Sequence, residues 1–140
     1  MFIKLAKPSN KKMNKKIIIT AAAFGFLAVI FGAFGAHSLK KLISVEQLEV
    51  WQTAVQYHFY HTLVILFLST FSRSRNKIIN FSFYCFTLGI LLFSGSLYLI
   101  SLKNILGIES VGVLGPITPV GGLCFILGWL SLFLATLRDK

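Results

Sequence analysis

Three histidines and a pair of serines carry the chemistry open to this chain. His58 and His61 stand three residues apart in the run from Trp51 to His61 (WQTAVQYHFYH), a spacing that puts both imidazoles on one face of a helix. Joined by His37 from a neighbouring helix, they would suit zinc or copper. Paired helix histidines are also the usual protein contribution to a haem iron. Ser94 or Ser96 beside His61 would make a nucleophile and its base. Buried in lipid, His61 would be a titrating group of the kind found on ion pathways. Each reading lacks a component. No carboxylate or thiolate accompanies the histidines, Cys85 and Cys124 stand at no metal spacing, and there is no CxxC or CxxCH. The chain also holds no GxSxG, HExxH or P-loop, the patterns that would place a nucleophile, metal or phosphate. No catalytic residue, cofactor or metal is therefore expected, and the protein reads as a non-enzyme. A metal- or haem-binding membrane protein is kept as the remote alternative.

The elements that position these groups are membrane helices. Of 140 residues, 56% are hydrophobic and 13% charged, with a mean hydropathy of +0.79. The apolar residues fall into four blocks, 17–36, 55–71, 78–102 and 111–137. About 20 apolar residues cross a bilayer, so three blocks qualify outright and the second sits at the lower limit. The second is expected to be lengthened by a helix that begins earlier. Ser44 followed by Gln47 fits a capping box, and Val45, Leu48, Trp51 and Val55 recur opposite Glu46, Glu49, Gln52 and Gln56, an amphipathic extension leading into the second span. In the first span, Ala21, Gly25, Ala28, Gly32 and Ala36 offer a small-residue face for close helix approach. Pro116 and Pro119 suit the first turn of the fourth helix or a break there.

Charge sets the expected topology. Eleven basic residues lie before the first block, between the second and third, and after the fourth; Lys40, Lys41 and Lys103 lie on the other side. That is the positive-inside bias, with both termini cytoplasmic. It accounts for the net charge of +10 without nucleic acid and makes the lipid bilayer the principal partner. Lys15-Lys16 before Ile17–Phe31 has the outline of a signal peptide, but Phe34 at −3 from Ala36 makes a poor cleavage site, so a retained helix is expected. Residues 1–16 read as a basic cytoplasmic segment, with Met13 an alternative start, and 17–137 as one four-span membrane domain.

Counting from the basic ends at about 1.5 Å per residue places His61 roughly 18 Å up, His58 roughly 22 Å and Gln56 roughly 25 Å. Ser94 and Ser96 come out near 25–28 Å, Pro119 near 28 Å and His37 near 30 Å. The gap of about 12 Å between His37 and His61 is too large for two ligands to one haem iron. These depths gather His37, Trp51, Gln52, Thr53, Gln56, Tyr57, His61, Ser94, Gly95, Ser96, Thr118, Pro119, Gly121 and Gly122 into one polar cluster in the outer half. Within it, His61 and Tyr57 are expected to bond to Ser94, Ser96 or carbonyls freed around Pro119, with His58 nearer water.

Several motifs coincide in order with a known family. GlyAlaPheGlyAlaHis at 32–37, TrpGlnThrAla at 51–54 with Tyr57, His61 and Leu63, PheSerGlySerLeuTyr at 93–98, ThrProValGlyGly at 118–122 and Gly128-Trp129 resemble the domain of unknown function 423 family, which includes eukaryotic transmembrane protein 256. The resemblance spans about Met13 to Leu137. It implies a small multi-pass protein of the bacterial cytoplasmic (inner) membrane and no particular activity. By motif it carries over to His37, Trp51, Gln52, Thr53, Tyr57, His61, Ser94, Gly95, Ser96, Pro119, Gly121 and Gly122, and it leaves out His58. The expectation is an all-α four-helix transmembrane bundle with both termini inside. Its outer cluster packs the bundle or receives a small ligand, a membrane-protein partner or a second copy. A small-solute or ion pathway is the alternative.

Overall fold

The computed structural model describes residues 14–71, 77–108, 112 and 114–138. The chain forms α1 (Lys15–His37), a 3₁₀ turn (Leu39–Lys41), α2 (Val45–Leu68), α3 (Lys77–Gly89), a π-helical segment (Ile90–Ser94), α4 (Gly95–Ser101) and α5 (Leu114–Arg138). Because α3, the π segment and α4 run on without a break, the architecture is four helical rods. Three of them, 15–41, 77–101 and 114–137, are long and apolar enough to cross a membrane. The fourth, α2, is 24 residues long, but Glu46, Glu49, Gln52, Gln56, His58 and His61 dilute its hydropathy. It ends at Leu68, three residues short of the expected boundary. The arginine-containing connection 72–76 and residues 109–111, 113 and 139–140 lie outside the described residues, as does the expected N-terminal segment up to Met13.

Ser44 caps α2 as its sequence implied. Its hydroxyl accepts from the Gln47 amide at 3.3 Å, and the Ser44 amide donates to Gln47 Oε1 at 3.2 Å. The same serine holds the exposed Glu46 carboxyl below the usual carboxylate range. Gln47 then reaches across to α4, where its Nε2 donates to the Ser101 carbonyl at 3.0 Å while Ser101 Oγ donates to the Gln47 carbonyl. One residue thus starts α2 and ties it to the top of the third rod.

Packing follows the small residues. Ala21 and Ala28 are buried, and Cβ atoms added at Gly25 and Gly32 would rest 3.6 Å from Thr62 and Val55 of α2. The small-residue face of α1 is therefore its α2-facing side, and Ala36 at its end is exposed. At the other end Lys16 Nζ donates to Tyr84 Oη at 2.9 Å and lies 4.9 Å from that ring, its aliphatic stem running along the bundle to reach a polar tip. The half of the bundle that holds Lys16 is closed by Ile17, Ile65, Leu68, Phe83, Phe86 and Leu132, all buried together.

The opposite half departs from regular helix. Pro119 falls inside α5 rather than in its first turn, so the bond to the Gly115 carbonyl cannot form. Across from it lies the π segment, and Gly121 has no room for a Cβ against the backbone nitrogen of Phe93. Two interrupted ladders therefore meet at their closest approach. Replacing Gly121 by Ala should destabilise the protein by about 1–3 kcal/mol, since backbone must move to admit the methyl. Gly95→Ala, where a Cβ would meet nothing within 4 Å, should be neutral or slightly stabilising. Thermal unfolding of the two purified variants in detergent tests the contrast.

Candidate functional site

The polar groups of α2 divide between two crevices. Along α1, Trp51 is 3% exposed and its indole N–H donates to the Phe31 carbonyl at 2.9 Å. Its ring lies so close over Gly35 that a Cβ there would stand 2.6 Å from the indole nitrogen. Tyr98 of α4 closes the group, its ring 4.6 Å from Trp51 and 4.8 Å from Phe31 between centroids. His58 is buried in the same group, with Nδ1 3.2 Å from Tyr98 Oη and Phe24 edge-on at 5.5 Å. This reverses the expectation that His58 lies nearer water: at 3% exposed it is buried at least as deeply as His61, at 6%. A count of helical rise gives depth but not azimuth, and the three-residue offset turns the two side chains toward different neighbours.

His61 faces the third rod and α5. Its Nδ1 lies 2.8 Å from the Tyr57 carbonyl; a carbonyl only accepts, so that nitrogen carries the proton and Nε2 presents a lone pair. Trp129 Nε1 donates to it at 3.4 Å, longer than the 2.7–3.2 Å usual for such bonds. The imidazole lies flat on Phe125, centroids 3.6 Å apart and planes within 5°, with Tyr57 stacked at 5.9 Å. Neither His61 nor Tyr57 bonds to Ser94 or Ser96, as the sequence suggested. Ser96 Oγ instead donates to the Phe93 carbonyl of the π segment at 2.9 Å and pairs with Thr118 Oγ1 at 2.7 Å, joining the two interrupted helices. Ser94 is fully buried, and no described group hydrogen-bonds its hydroxyl.

Between α2 and α5 lies a groove of about 840 Å³, lined by Tyr57, Tyr60, His61, Phe93, Trp129 and Pro119 among others. Gln52 and Gln56 line a separate crevice of about 180 Å³ with Trp51, Gly32 and Gly35. Thr53 Oγ1 donates back to the Glu49 carbonyl at 3.0 Å. His37 is exposed at the end of α1, away from the bonds that hold the other two histidines. Of the expected cluster, Tyr57, His61, Pro119 and Gly122 share the large groove, with Gly121 packed behind it on the backbone of Phe93. Phe93, Phe125 and Trp129 complete the groove without having been singled out as site residues. Two of the three carried a signal in the sequence, Phe93 in PheSerGlySerLeuTyr and Trp129 in Gly128-Trp129; Gly128 lets Phe86 lie against α5, 2.8 Å from where a Cβ would stand. Among the described residues no three His, Cys, Asp or Glu come together as a metal set.

Four helical rods, three of them fit to cross a bilayer, around an aromatic groove with one histidine define a small multi-pass membrane protein with a candidate binding cleft. Residues 31–122 match the family profile described as Protein of unknown function (DUF423), and the chain belongs to that family. It is 41% identical over 124 residues to a UPF0382 membrane protein of Staphylococcus aureus (strain bovine RF122), covering 89% of this chain and 97% of that one. Similarity to the UPF0382 membrane protein YwdK of Bacillus subtilis is 40% over 127 residues, covering 89% and 98%. A UPF0382 membrane protein of Haemophilus influenzae is 35% identical over 128 residues, covering 91% and 98%. No solved structure matches the chain.

The His58–Tyr98 contact yields a test of the buried aromatic group. Tyr98→Phe and His58→Ala should each destabilise the protein, and together by about 0.5–1.5 kcal/mol less than their sum, the range of one internal hydrogen bond. Denaturant unfolding of the two single variants and the double variant measures that coupling.

Proposed function

We propose that this protein is a non-enzymatic component of the bacterial cytoplasmic membrane whose α2–α5 groove receives a small ligand from the bilayer. Residues 17–137 form a single domain in which all four rods span. Both termini and the basic segment 1–16 lie in the cytoplasm, and the groove lies in the outer half. The asymmetry of basic residues supports that orientation. The observation that carries the binding role is the groove itself, about 840 Å³ and walled by aromatic rings around the held imidazole of His61. Clefts of this size, mostly apolar with a few placed polar groups, are the usual form of small-molecule sites. Its position opposite both a π segment and a mid-helix proline strengthens the reading, because π-helical insertions concentrate at functional sites.

A solute pathway fits less well. Below the groove, Ile65, Leu68, Phe83, Phe86 and Leu132 are buried in one apolar core, and the buried hydroxyls of Ser82 and Ser131 beside it both donate to the Ile78 carbonyl instead of lining a path for an ion or small solute. Reconstituted in liposomes, the protein should pass neither ions nor small neutral solutes. His61→Ala should lower the unfolding midpoint by about 3–4 °C, the shift expected for roughly 1 kcal/mol in a chain of this size, and leave flux at background. Flux that His61→Ala abolishes overturns the binding role in favour of transport. A reporter fused after Lys140 should be active only in the cytoplasm; periplasmic activity overturns the four-span topology.

A further inference from the structure

We infer that the ligand class of this groove is a ring-bearing hydroxyl amphiphile, of the phenol or hydroquinone type, entering sideways from the lipid. This rests on the binding role proposed above. Its direction of access follows from the surroundings: Leu123, Ile126 and Trp129 are 53%, 64% and 49% exposed and line the groove, so its mouth lies on the apolar outer surface of the bundle. A ligand reaching that surface must be soluble in hydrocarbon.

The polar chemistry is narrower. His61 Nδ1–H is committed to the Tyr57 carbonyl, which leaves a lone pair on Nε2. Trp129 Nε1–H offers only a donor. One acceptor and one donor stand 3.4 Å apart, each imperfectly served by the other. An ammonium has nothing to accept with, and a ketone or ether has nothing to donate. A hydroxyl does both: its O–H donates to His61 Nε2 while its oxygen accepts from Trp129 Nε1–H.

The walls select the rest of the molecule. Tyr57, Phe93 and Phe125 stand with ring centroids 4.7–6.2 Å from one another at interplanar angles of 32–59°. Tilted faces at that spacing give a flat ring offset and edge-on contacts. His61 is already sandwiched against Phe125, so the incoming ring lies beside that stack, toward Tyr60 and Trp129, with its tail in the bilayer.

The intrinsic fluorescence of the full-length protein in nanodiscs of neutral lipid reports this directly. Of the two tryptophans, Trp51 is buried against α1, whereas Trp129 lines the groove. Titration with 4-nonylphenol should change the emission saturably. Its methyl ether, which partitions more strongly into lipid but cannot donate, should bind about tenfold more weakly, the effect of one well-made hydrogen bond with its partner left unpaired when it is lost. His61→Phe keeps an aromatic wall and removes the acceptor; in that variant the greater thermal stabilisation by the phenol should fall to that given by the ether. Equal saturable binding of phenol and ether overturns the hydroxyl assignment while leaving a ligand-receiving groove. Absence of saturable binding by either probe overturns both the assignment and the binding role. Undiminished preference for the phenol in His61→Phe shows that the hydroxyl is recognised elsewhere and overturns this site.

Discussion

In hydrocarbon there is no water to satisfy a polar group, so each must find its partner within the protein. Helix α2 is where that constraint bears hardest, and the bundle is arranged around it. Alone among the four rods it is too polar to cross a membrane by composition, and it packs on α1, on each section of the third rod, and through His61 on α5. Trp51 bonds to a carbonyl of α1, His58 meets Tyr98 of α4, Gln47 is exchanged with Ser101, and His61 meets Trp129 of α5. Those four links lead from α2 to three partner segments, α1, α4 and α5. The three apolar rods thus act as the solvent that α2 would otherwise lack.

Aromatic rings do most of the surrounding. Their flat faces cover imidazoles without offering competing polar groups, while Trp and Tyr contribute one hydrogen-bonding tip each. Close approach of the backbones makes room for them. Gly35 lies under Trp51, Gly89 under Phe125 and Gly128 under Phe86, so glycines on one rod repeatedly answer large rings on another. The resulting groove is wide enough to admit a ligand because Phe93 and Phe125 are tilted against each other instead of interlocked.

The sequence was legible where a single helix decides the outcome. Block lengths located the three apolar rods, and Ser44 with Gln47 located the start of α2. Rise per residue is nearly constant, so position along a helix can be counted. Azimuth cannot. His58 and His61 are three residues apart, yet they enter different crevices because their neighbours, not their spacing, determine what covers each. The π segment was equally hidden: LeuLeuPheSerGlySer has no feature that separates a π turn from an α turn, and only the abutting backbone at Gly121 accounts for it. Ser96 therefore met Thr118 instead of His61.

That π segment sets a rotational phase. An α-helix advances by about 100° per residue, and a π turn holds one residue more than an α turn, so the rod's upper section is turned relative to an uninterrupted continuation. Below it, Phe86 and Gly89 address α5; above it, Tyr98 and Ser101 address α2. A single rod thereby serves two partners in succession. Within a lineage, gain or loss of one residue between Ile90 and Ser94 would be no local indel, because it would swing the whole upper face, and every contact it makes with α2, out of register.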